Sequence, residues 1–170
     1  MTTQSIAIDA MGGDVGPRVT IPASLDALKK YPNLRIILVG DQIQIESLLK
    51  KYDEINHPRL SVHKTTEVVL MDESPQSALK NKKNSSMRVA INLVKDGDAK
   101  ACVSAGNTGA LMATARFVLK TLQGIDRPAI ASNLPNRKGA TCMLDLGANS
   151  DCSAEQLLQF ALMGSMLTSA

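Results

Sequence analysis

The stretch KACVSAGNTGALMA, residues 100–113, decides the fold, because it places three local signals in a fixed order. Lys100–Ser104 predicts a short strand, and Ala105–Gly109 predicts a turn made of small and polar residues. A helix follows to about Lys120 or Thr121. A strand that leads through a small-residue turn into a helix is the repeating unit of α/β proteins.

The same arrangement occurs twice more. Ser5–Ala10 predicts a buried strand, Met11–Pro17 a glycine-rich turn, and Arg18–Lys30 a helix. Near the other end, strand Thr141–Leu144 leads into the small-residue loop Asp145–Asp151, which precedes another helix. The inner face of the helix at residues 18–30 is predicted to carry Val19, Leu25 and Leu28.

The remaining elements complete an alternating order. Ala129–Asn133 is expected to form a hairpin with Thr141–Leu144. The last helix opens at Ser153 with a capping box to Gln156, and its apolar residues from Leu157 onward predict burial on several sides. The other strands are Arg35–Val39 and Leu60–His63, and the other helices run from Asp41, from about Ser74 with Pro75 first, and over Met87–Lys95. This order predicts one three-layer α/β domain over residues 1–170, with a largely parallel sheet and helices on both faces.

Composition restricts the class of function. The chain has 170 residues, of which 44% are apolar and 2% aromatic, so its core must be built from aliphatic side chains. The formal net charge of +3 is too small to indicate nucleic-acid binding. The one dense basic cluster, Lys80, Lys82 and Lys83, has no interleaved aromatic residue, and a solvated loop or an anionic ligand explains it. We therefore expect no nucleic-acid partner.

The cysteines and the start of the chain indicate a reducing compartment. Cys102, Cys142 and Cys152 are odd in number and show no CxxC spacing, which predicts free thiols. A strand begins almost at once, at Ser5, so no signal peptide is expected. No apolar run reaches the roughly 18 residues that a membrane span needs. These features predict a cytoplasmic protein.

The three strand-to-helix loops are the predicted ligand edge. In parallel α/β sheets, ligands bind beyond the carboxyl ends of the strands, and helix N-termini favour anions. A phosphate or carboxylate is therefore the expected ligand, while a plain tight turn remains the alternative for each loop. The candidate catalytic residues are Asn107 and Thr108 in the second of these loops, together with Lys82. The candidate binding residues in these loops are Asp9, Gly12, Gly13, Asp14, Ser104, Gly106, Gly109, Asp145, Gly147 and Asn149.

A second candidate anion cradle precedes the helix at residues 87–95. Ser85 and Ser86 could present donors there, and Lys82 could balance negative charge, whereas a plain helix N-cap is the alternative. Asp9, Asp14 and Asp145 lie on the presumed ligand edge, but no His or Cys supports a metal site beside them. Asp145 fits a turn or helix cap as well as a ligand contact. We expect neither a metal nor a cofactor.

Familiar catalytic patterns are absent from the sequence. GxxxxGK[ST], GxGxxG and GxSxG do not occur, so a P-loop, a Rossmann dinucleotide site and a serine-hydrolase elbow are not indicated. His57 and His63 flank a weak strand and are interpreted as structural or exposed. No Ser-His-Asp or Cys-His set is visible, and no general acid or base can be assigned.

Five blocks of this sequence resemble the PlsX family of phosphate acyltransferases. They are IDAMGGDVGP at Ile8–Pro17, KKNSSM at Lys82–Met87, VSAGNTGALMA at Val103–Ala113, RPAIASNLP at Arg127–Pro135 and MLDLGANSDC at Met143–Cys152. The resemblance covers the whole chain but only about half of a family protein. Gly16 departs from the family pattern, in which Ala is more usual at that position.

The resemblance implies an activity and its setting. The enzyme would transfer a fatty acyl group from acyl carrier protein to inorganic phosphate, giving acyl phosphate for phospholipid synthesis. The fold would be similar to isopropylmalate dehydrogenases and phosphotransacetylases. The family's enzymes are cytoplasmic homodimers, loosely associated with the membrane through the half that lies beyond the match. The fragment itself could be inactive alone.

Phosphate is itself a nucleophile, and a thiol has a pKa of about 8.5, so this reaction needs positioning more than acid–base help. Gly106, Asn107, Thr108 and Gly109 are expected to hold phosphate or the oxyanion. Ser85, Ser86 and Lys82 are expected to hold a second anion or the acyl donor. A phosphotransacetylase-like enzyme that uses coenzyme A and a non-catalytic anion-binding module remain alternatives.

Overall fold

A computed structural model describes residues 4–147 and 149–169. The chain divides into two compact units, one up to Leu119 and the other from Lys120 onward. The hairpin after Leu119 pairs with itself and, among the described residues, adds no strand to the parallel sheet. That residues 1–170 form one domain stays a prediction. That the chain is half of a longer protein stays a prediction.

The first unit is built on a four-stranded parallel sheet in the order β3-β2-β1-β4. The strands are β1 (Gln4–Asp9), β2 (Leu34–Gly40), β3 (Leu60–Lys64) and β4 (Ala101–Val103). β1 lies between β2 and β4, with Ile8 opposite both Leu38 and Val103. The predicted parallel sheet is therefore confirmed, and β1 and β4 end side by side.

Five helices connect and cover these strands. They are α1 (Pro17–Lys30), α2 (Gln42–Lys51), α3 (Pro75–Asn81), α4 (Ser86–Asp96) and α5 (Thr108–Leu119). The start signals in the sequence act as predicted. The Asp41 carboxylate accepts the Gln44 N–H, which lowers the pKa of Asp41, and the Ser74 hydroxyl accepts the Ser77 N–H. Gly97 ends α4 in the left-handed conformation at φ 86°.

The core lies on both faces of the sheet. Ile36 and Leu38 pack with residues of α1 and α2, whereas Val39 and Ala7 pack with residues of α4. Since successive strand residues point to opposite faces, α1 and α2 cover one face and α4 covers the other, as the three-layer prediction requires. Val19 is the exception, because it was expected on the inner face of α1 and is 55% exposed.

The second unit is an antiparallel hairpin followed by a helix. β5 (Ala131–Asn136) pairs with β6 (Gly139–Leu144), which confirms the predicted hairpin, and α6 spans Ala154–Ser169. The capping box forms in both directions, with Ser153 N–H bonded to Gln156 Oε1 and Gln156 N–H bonded to Ser153 Oγ.

The expectation that α6 is buried on several sides is wrong within the described residues. Gln159 and Phe160 are its only buried residues, because this small unit offers a single hairpin for the helix to pack against. Its exposed apolar side chains are Leu157, Leu158, Leu162, Met166 and Leu167. No helix in the described ranges is long and apolar enough to cross a membrane.

One arginine fastens the end of α1 to the start of the neighbouring strands. The Arg59 guanidinium donates to the carbonyl oxygens of Leu28, Tyr31, Pro32 and Leu34 at 2.8–3.2 Å. The last carbonyls of a helix lack partners inside the helix, so the bond to Leu28 satisfies a group that would otherwise depend on water. The Tyr31 carbonyl also accepts the Leu34 N–H at 3.1 Å. Arg59 thereby closes the turn between α1 and β2.

We expect Arg59→Lys to lower the free energy of unfolding by about 1–3 kcal/mol, because a lysine ammonium cannot reproduce the planar fork that reaches four carbonyls. Urea denaturation of this chain would measure the change. Arg35→Lys is the control, since Arg35 is exposed on β2. Equal midpoints for the two variants would contradict the role given to Arg59.

Candidate functional site

Two of the three predicted loops meet at the carboxyl edge of the sheet. A methyl group added at Gly12 would lie 2.6 Å from Asp9 Oδ2 and 3.0 Å from the Gly106 nitrogen. One added at Gly13, where φ is +87°, would lie 3.1 Å from the Ala105 carbonyl oxygen. The loop after β1 and the loop after β4 therefore touch through their backbones, and any larger residue at these positions would push them apart.

A chain of hydrogen bonds joins the ends of β1 and β4. The Ser104 hydroxyl donates to Asp9 Oδ2 at 2.6 Å, and the Gly106 N–H donates to Ser104 Oγ at 3.1 Å. Asp9 is only 1% exposed, and its Oδ1 has no hydrogen-bond partner in the described part of the chain. The Gly106 N–H is thus already engaged, although the sequence suggested it as a donor to phosphate.

The Asn107 side chain is fully occupied by the protein. Its Oδ1 accepts the Ala110 N–H at 2.9 Å and so caps α5. Its Nδ2 donates to the carbonyl oxygens of Met71 at 2.9 Å and Glu73 at 2.8 Å, and more weakly to that of Leu70 at 3.3 Å. Asn107 therefore holds the loop at residues 70–73 against α5, a role that its sequence context did not reveal.

The backbone donors of the same turn remain open. Within residues 4–147 and 149–169, no protein atom accepts a hydrogen bond from the N–H groups of Asn107, Thr108 or Gly109. Thr108 and Gly109 are exposed and begin α5. Consecutive free N–H groups at a helix N-terminus attract an anion through their partial positive charge. The predicted anion site is supported here by backbone rather than by side-chain groups.

The second predicted cradle is a helix cap with an acidic neighbour. The Ser85 hydroxyl donates to the Lys82 carbonyl oxygen at 2.8 Å and accepts the Arg88 N–H at 3.3 Å, and Ser85 and Ser86 are each 1% exposed. The Glu67 carboxylate accepts the Asn84 N–H at 2.7 Å. This carboxylate, which the sequence gave no reason to place there, would repel an anion at this position.

The basic residues around that cap point to different roles. The Arg88 guanidinium lies 5.1 Å from the centre of the Phe117 ring on α5, in a cation–π contact. Lys82 is half-buried at the end of α3, three residues before Ser85, and it remains a predicted ligand contact. Met87, in the first turn of α4, would meet a methyl group added at Gly106 at 3.0 Å. The start of α4 therefore lies against the turn that precedes α5.

The third predicted loop belongs to the second unit. The Asp145 carboxylate accepts hydrogen bonds from the Asn149 backbone N–H at 3.1 Å and from the Asn149 side chain at 3.0 Å. Asn149 also donates to the Pro128 carbonyl oxygen at 3.2 Å, and Asp145 and Gly147 both have positive φ. These contacts match the turn-capping alternative for Asp145. Ala148, in the same predicted block, lies outside the described residues.

Metal ligands do not cluster in the described ranges, where no group of three His, Cys, Asp or Glu side chains could hold an ion. Asp14 is exposed in the loop after β1.

The histidines have the predicted roles, since His57 Nδ1 accepts the Arg59 N–H at 3.1 Å and His63 is exposed.

An apolar cavity of about 930 Å³, which the sequence did not predict, borders the site. Its wall is formed by α1 and the adjoining strands, and it includes Asp9 and Ala105 from the candidate site. The exposure of Val19 has its explanation here, because Val19 lines the cavity instead of the core. The cavity therefore runs along the face of the sheet covered by α1, and it reaches the candidate site at Asp9 and Ala105.

Comparison with known proteins gives a family. The model of a family described as "Fatty acid synthesis protein" matches residues 4–170. The chain belongs to this family. Proteins named phosphate acyltransferase from Chromobacterium violaceum and Herminiimonas arsenicoxydans are 64% and 63% identical to it, over 97% and 99% of this chain. The aligned regions are 48% and 47% of those proteins, so the chain spans about half the length of the curated relatives it matches.

A solved structure shares the fold of this chain. The EutD phosphotransacetylase from Staphylococcus aureus superposes with a TM-score of 0.64 at 19% identity, over 94% of this chain and 51% of that one. The expected similarity to the phosphotransacetylase fold is thereby confirmed.

Asn107 makes two separable contributions in this family member. We expect Asn107→Ala to speed amide hydrogen exchange both in residues 70–73 and in the first turn of α5, because the tether and the cap are lost together. Asn107→Ser should affect the loop alone, since a serine hydroxyl can still accept the Ala110 N–H. Unchanged exchange in residues 70–73 for both variants would contradict the tether.

Cys102 should react slowly with alkylating reagents at neutral pH. Burial and the nearby Asp9 charge raise the pKa of the Cys102 thiol, so less thiolate is present at neutral pH. Alkylation by iodoacetamide, followed by mass spectrometry from pH 7 to 9.5, should modify Cys102 several-fold more slowly than the thiol of an unstructured cysteine peptide, by the thiolate fraction. The rate at Cys102 should still rise at the upper end of this range; a plateau below pH 9 would contradict the raised pKa.

Proposed function

We propose that the enzyme to which this chain contributes transfers a fatty acyl group from acyl carrier protein to inorganic phosphate, giving acyl phosphate. The observation that carries the proposal is the set of open N–H groups at Asn107, Thr108 and Gly109, at the carboxyl edge of a parallel sheet. The names of the relatives support the same reaction. The product would enter phospholipid synthesis.

In the proposed reaction, phosphate binds at the N-terminus of α5 and attacks the thioester carbonyl carbon. A carbon–oxygen bond forms, the carbon–sulfur bond breaks, and the carrier leaves as a thiolate. Because a thiol has a pKa of about 8.5, this group departs without a strong acid, which agrees with the lack of an assigned acid or base. Positioned N–H groups would stabilise the negative charge that develops on the carbonyl oxygen.

The surroundings of the turn suit a substrate with one charged and one hydrocarbon end. The N–H groups would hold the anion, and the apolar cavity beside Asp9 and Ala105 would accept part of the acyl chain. Lys82 would orient the acyl donor from the end of α3. Ser85, Ser86, Gly12 and Gly13 would shape the walls of the site rather than donate to the ligand.

The setting of the enzyme is part of the same proposal. We infer a cytoplasmic homodimer that associates loosely with the membrane through residues beyond those matched here. A coenzyme A thioester is the alternative acyl donor, favoured by the shared fold with a phosphotransacetylase. A non-catalytic anion-binding module would bind phosphate without forming product.

The experiment uses a chimera in which residues 1–170 are joined to the second half of the Chromobacterium violaceum relative. We expect acyl phosphate from acyl carrier protein thioester plus phosphate, and little from the coenzyme A thioester. Faster turnover with coenzyme A would favour the phosphotransacetylase alternative. Phosphate binding without product from either thioester would favour the binding module.

One substitution tests the backbone donors directly. Thr108→Pro removes a single N–H at the first position of α5, where proline fits a helix, and should lower kcat/KM by about 100-fold. Thr108→Ala, the matched control, keeps the N–H and loses only the hydroxyl, so it should stay close to the unmutated chimera. Equal activity of the two variants would remove this N–H from the site.

A further inference from the structure

We propose that Asp9 and Ser104 are positioning residues that set the direction of the open N–H groups at the start of α5, without contacting the phosphate. This inference rests on the proposed function, and it gives these two residues a role other than the ligand contact that the sequence suggested. The reason lies in how their hydrogen-bonding groups are used.

Ser104 has no hydrogen left for a ligand. Its single hydroxyl hydrogen is donated to Asp9 Oδ2 at 2.6 Å, and its oxygen accepts the Gly106 N–H at 3.1 Å. Because the hydroxyl proton is fixed by Asp9, the oxygen lone pairs are also fixed in direction. The Gly106 N–H must follow them, and the peptide units of the next residues follow Gly106.

The Asp9 side chain is buried rather than exposed to solvent. It is 1% exposed, and it is the last residue of β1 that pairs with β2. Gly12 lies so close to its Oδ2 that a methyl group added at Gly12 would stand 2.6 Å from this oxygen. Among the residues that the structure describes, no cation pairs with it. A carboxylate that is buried this far cannot serve as a wall for phosphate, but it makes a strong and short acceptor for a hydroxyl.

The pair holds the turn at a different residue from those that Asn107 holds. Asn107 holds the turn through residues 70–73 and Ala110, while Asp9 and Ser104 hold it through Gly106. Between these two attachments lie the N–H groups of residues 107–109. A turn fixed at both ends keeps its donors aimed before phosphate arrives, which is the condition under which such donors contribute most to catalysis.

The test measures the KM for phosphate and the KM for the acyl donor in the chimera described above. The two constants distinguish a change in the direction of the N–H groups from a loss of folded protein. Ser104→Ala should raise the KM for phosphate about 10-fold and change the KM for the acyl donor less than about two-fold. Partial unfolding would lower the apparent kcat and leave both constants unchanged. A phosphate KM within about two-fold of the unmutated value would overturn the proposal.

Two further variants are compared with it. Asp9→Asn keeps an oxygen that can accept from Ser104, so its phosphate KM should rise less than that of Ser104→Ala; a larger rise would overturn the proposed hydroxyl chain. Ser153→Ala also removes a hydroxyl that accepts a backbone N–H at a helix start, but at α6. Its phosphate KM should be unchanged, and a rise equal to that of Ser104→Ala would also overturn the proposal.

A measurement without substrate keeps this inference distinct from the proposed function. In the 170-residue chain, Ser104→Ala should speed amide exchange at Gly106 at least about five-fold, because its N–H loses its acceptor, and Ser153→Ala should not. Unchanged exchange would overturn the positioning role whatever the activity. Absence of acyl phosphate from the unmutated chimera would instead overturn the proposed reaction, and the exchange rates would still decide whether the pair holds the turn.

Discussion

The hydrogen bond between Ser104 and Asp9 is the interaction on which the site depends, and the parallel sheet is what makes it possible. The two residues are 95 positions apart in sequence. They become neighbours because β4 pairs with β1 in a register that sets Val103 opposite Ile8, so the next residue of each strand meets its counterpart. The pairing of β1 with β4 also brings together the loops that follow these two strands. The loops can touch only because Gly12 and Gly106 carry no side chain at the point of contact.

Much of the fold could be predicted from sequence because its signals are local. Alternating strands and helices gave the layers and the parallel sheet, and caps such as Asp41, Ser74 and Ser153 marked helix starts through bonds within four residues. Burial was harder to predict, because it depends on what lies opposite. Val19 faces a cavity instead of the core, and most apolar residues of α6 are exposed. The periodicity of a helix states which residues share a face, but not whether another element covers that face.

The location of the site was predictable for a similar reason, and the roles of its side chains were not. Small residues directly after a strand indicate a turn at the ligand edge, and this pattern does not depend on which residues the turn contacts. Asn107 looked like a donor to phosphate, yet its partners are carbonyl oxygens of residues 70–73, and nothing in the sequence near Asn107 identifies them. Glu67 beside Asn84 was missed for the same reason. Long-range hydrogen bonds have no local pattern, so a motif can locate a site without specifying which atoms face the ligand.

These observations suggest why the polar side chains of this site are turned inward. If the anion is bound by main-chain N–H groups, almost any residue type can supply the donor. The sequence must then specify the direction in which these N–H groups point. Direction is fixed by side chains that accept hydrogen bonds from neighbouring backbone N–H groups, as Ser104 does from Gly106 and Asn107 does from Ala110. The reaction inferred here needs aimed donors more than a strong acid or base, since phosphate attacks and a thiolate leaves. A site built in this way carries its chemistry in the backbone, and its most distinctive side chains would be those that never contact the phosphate.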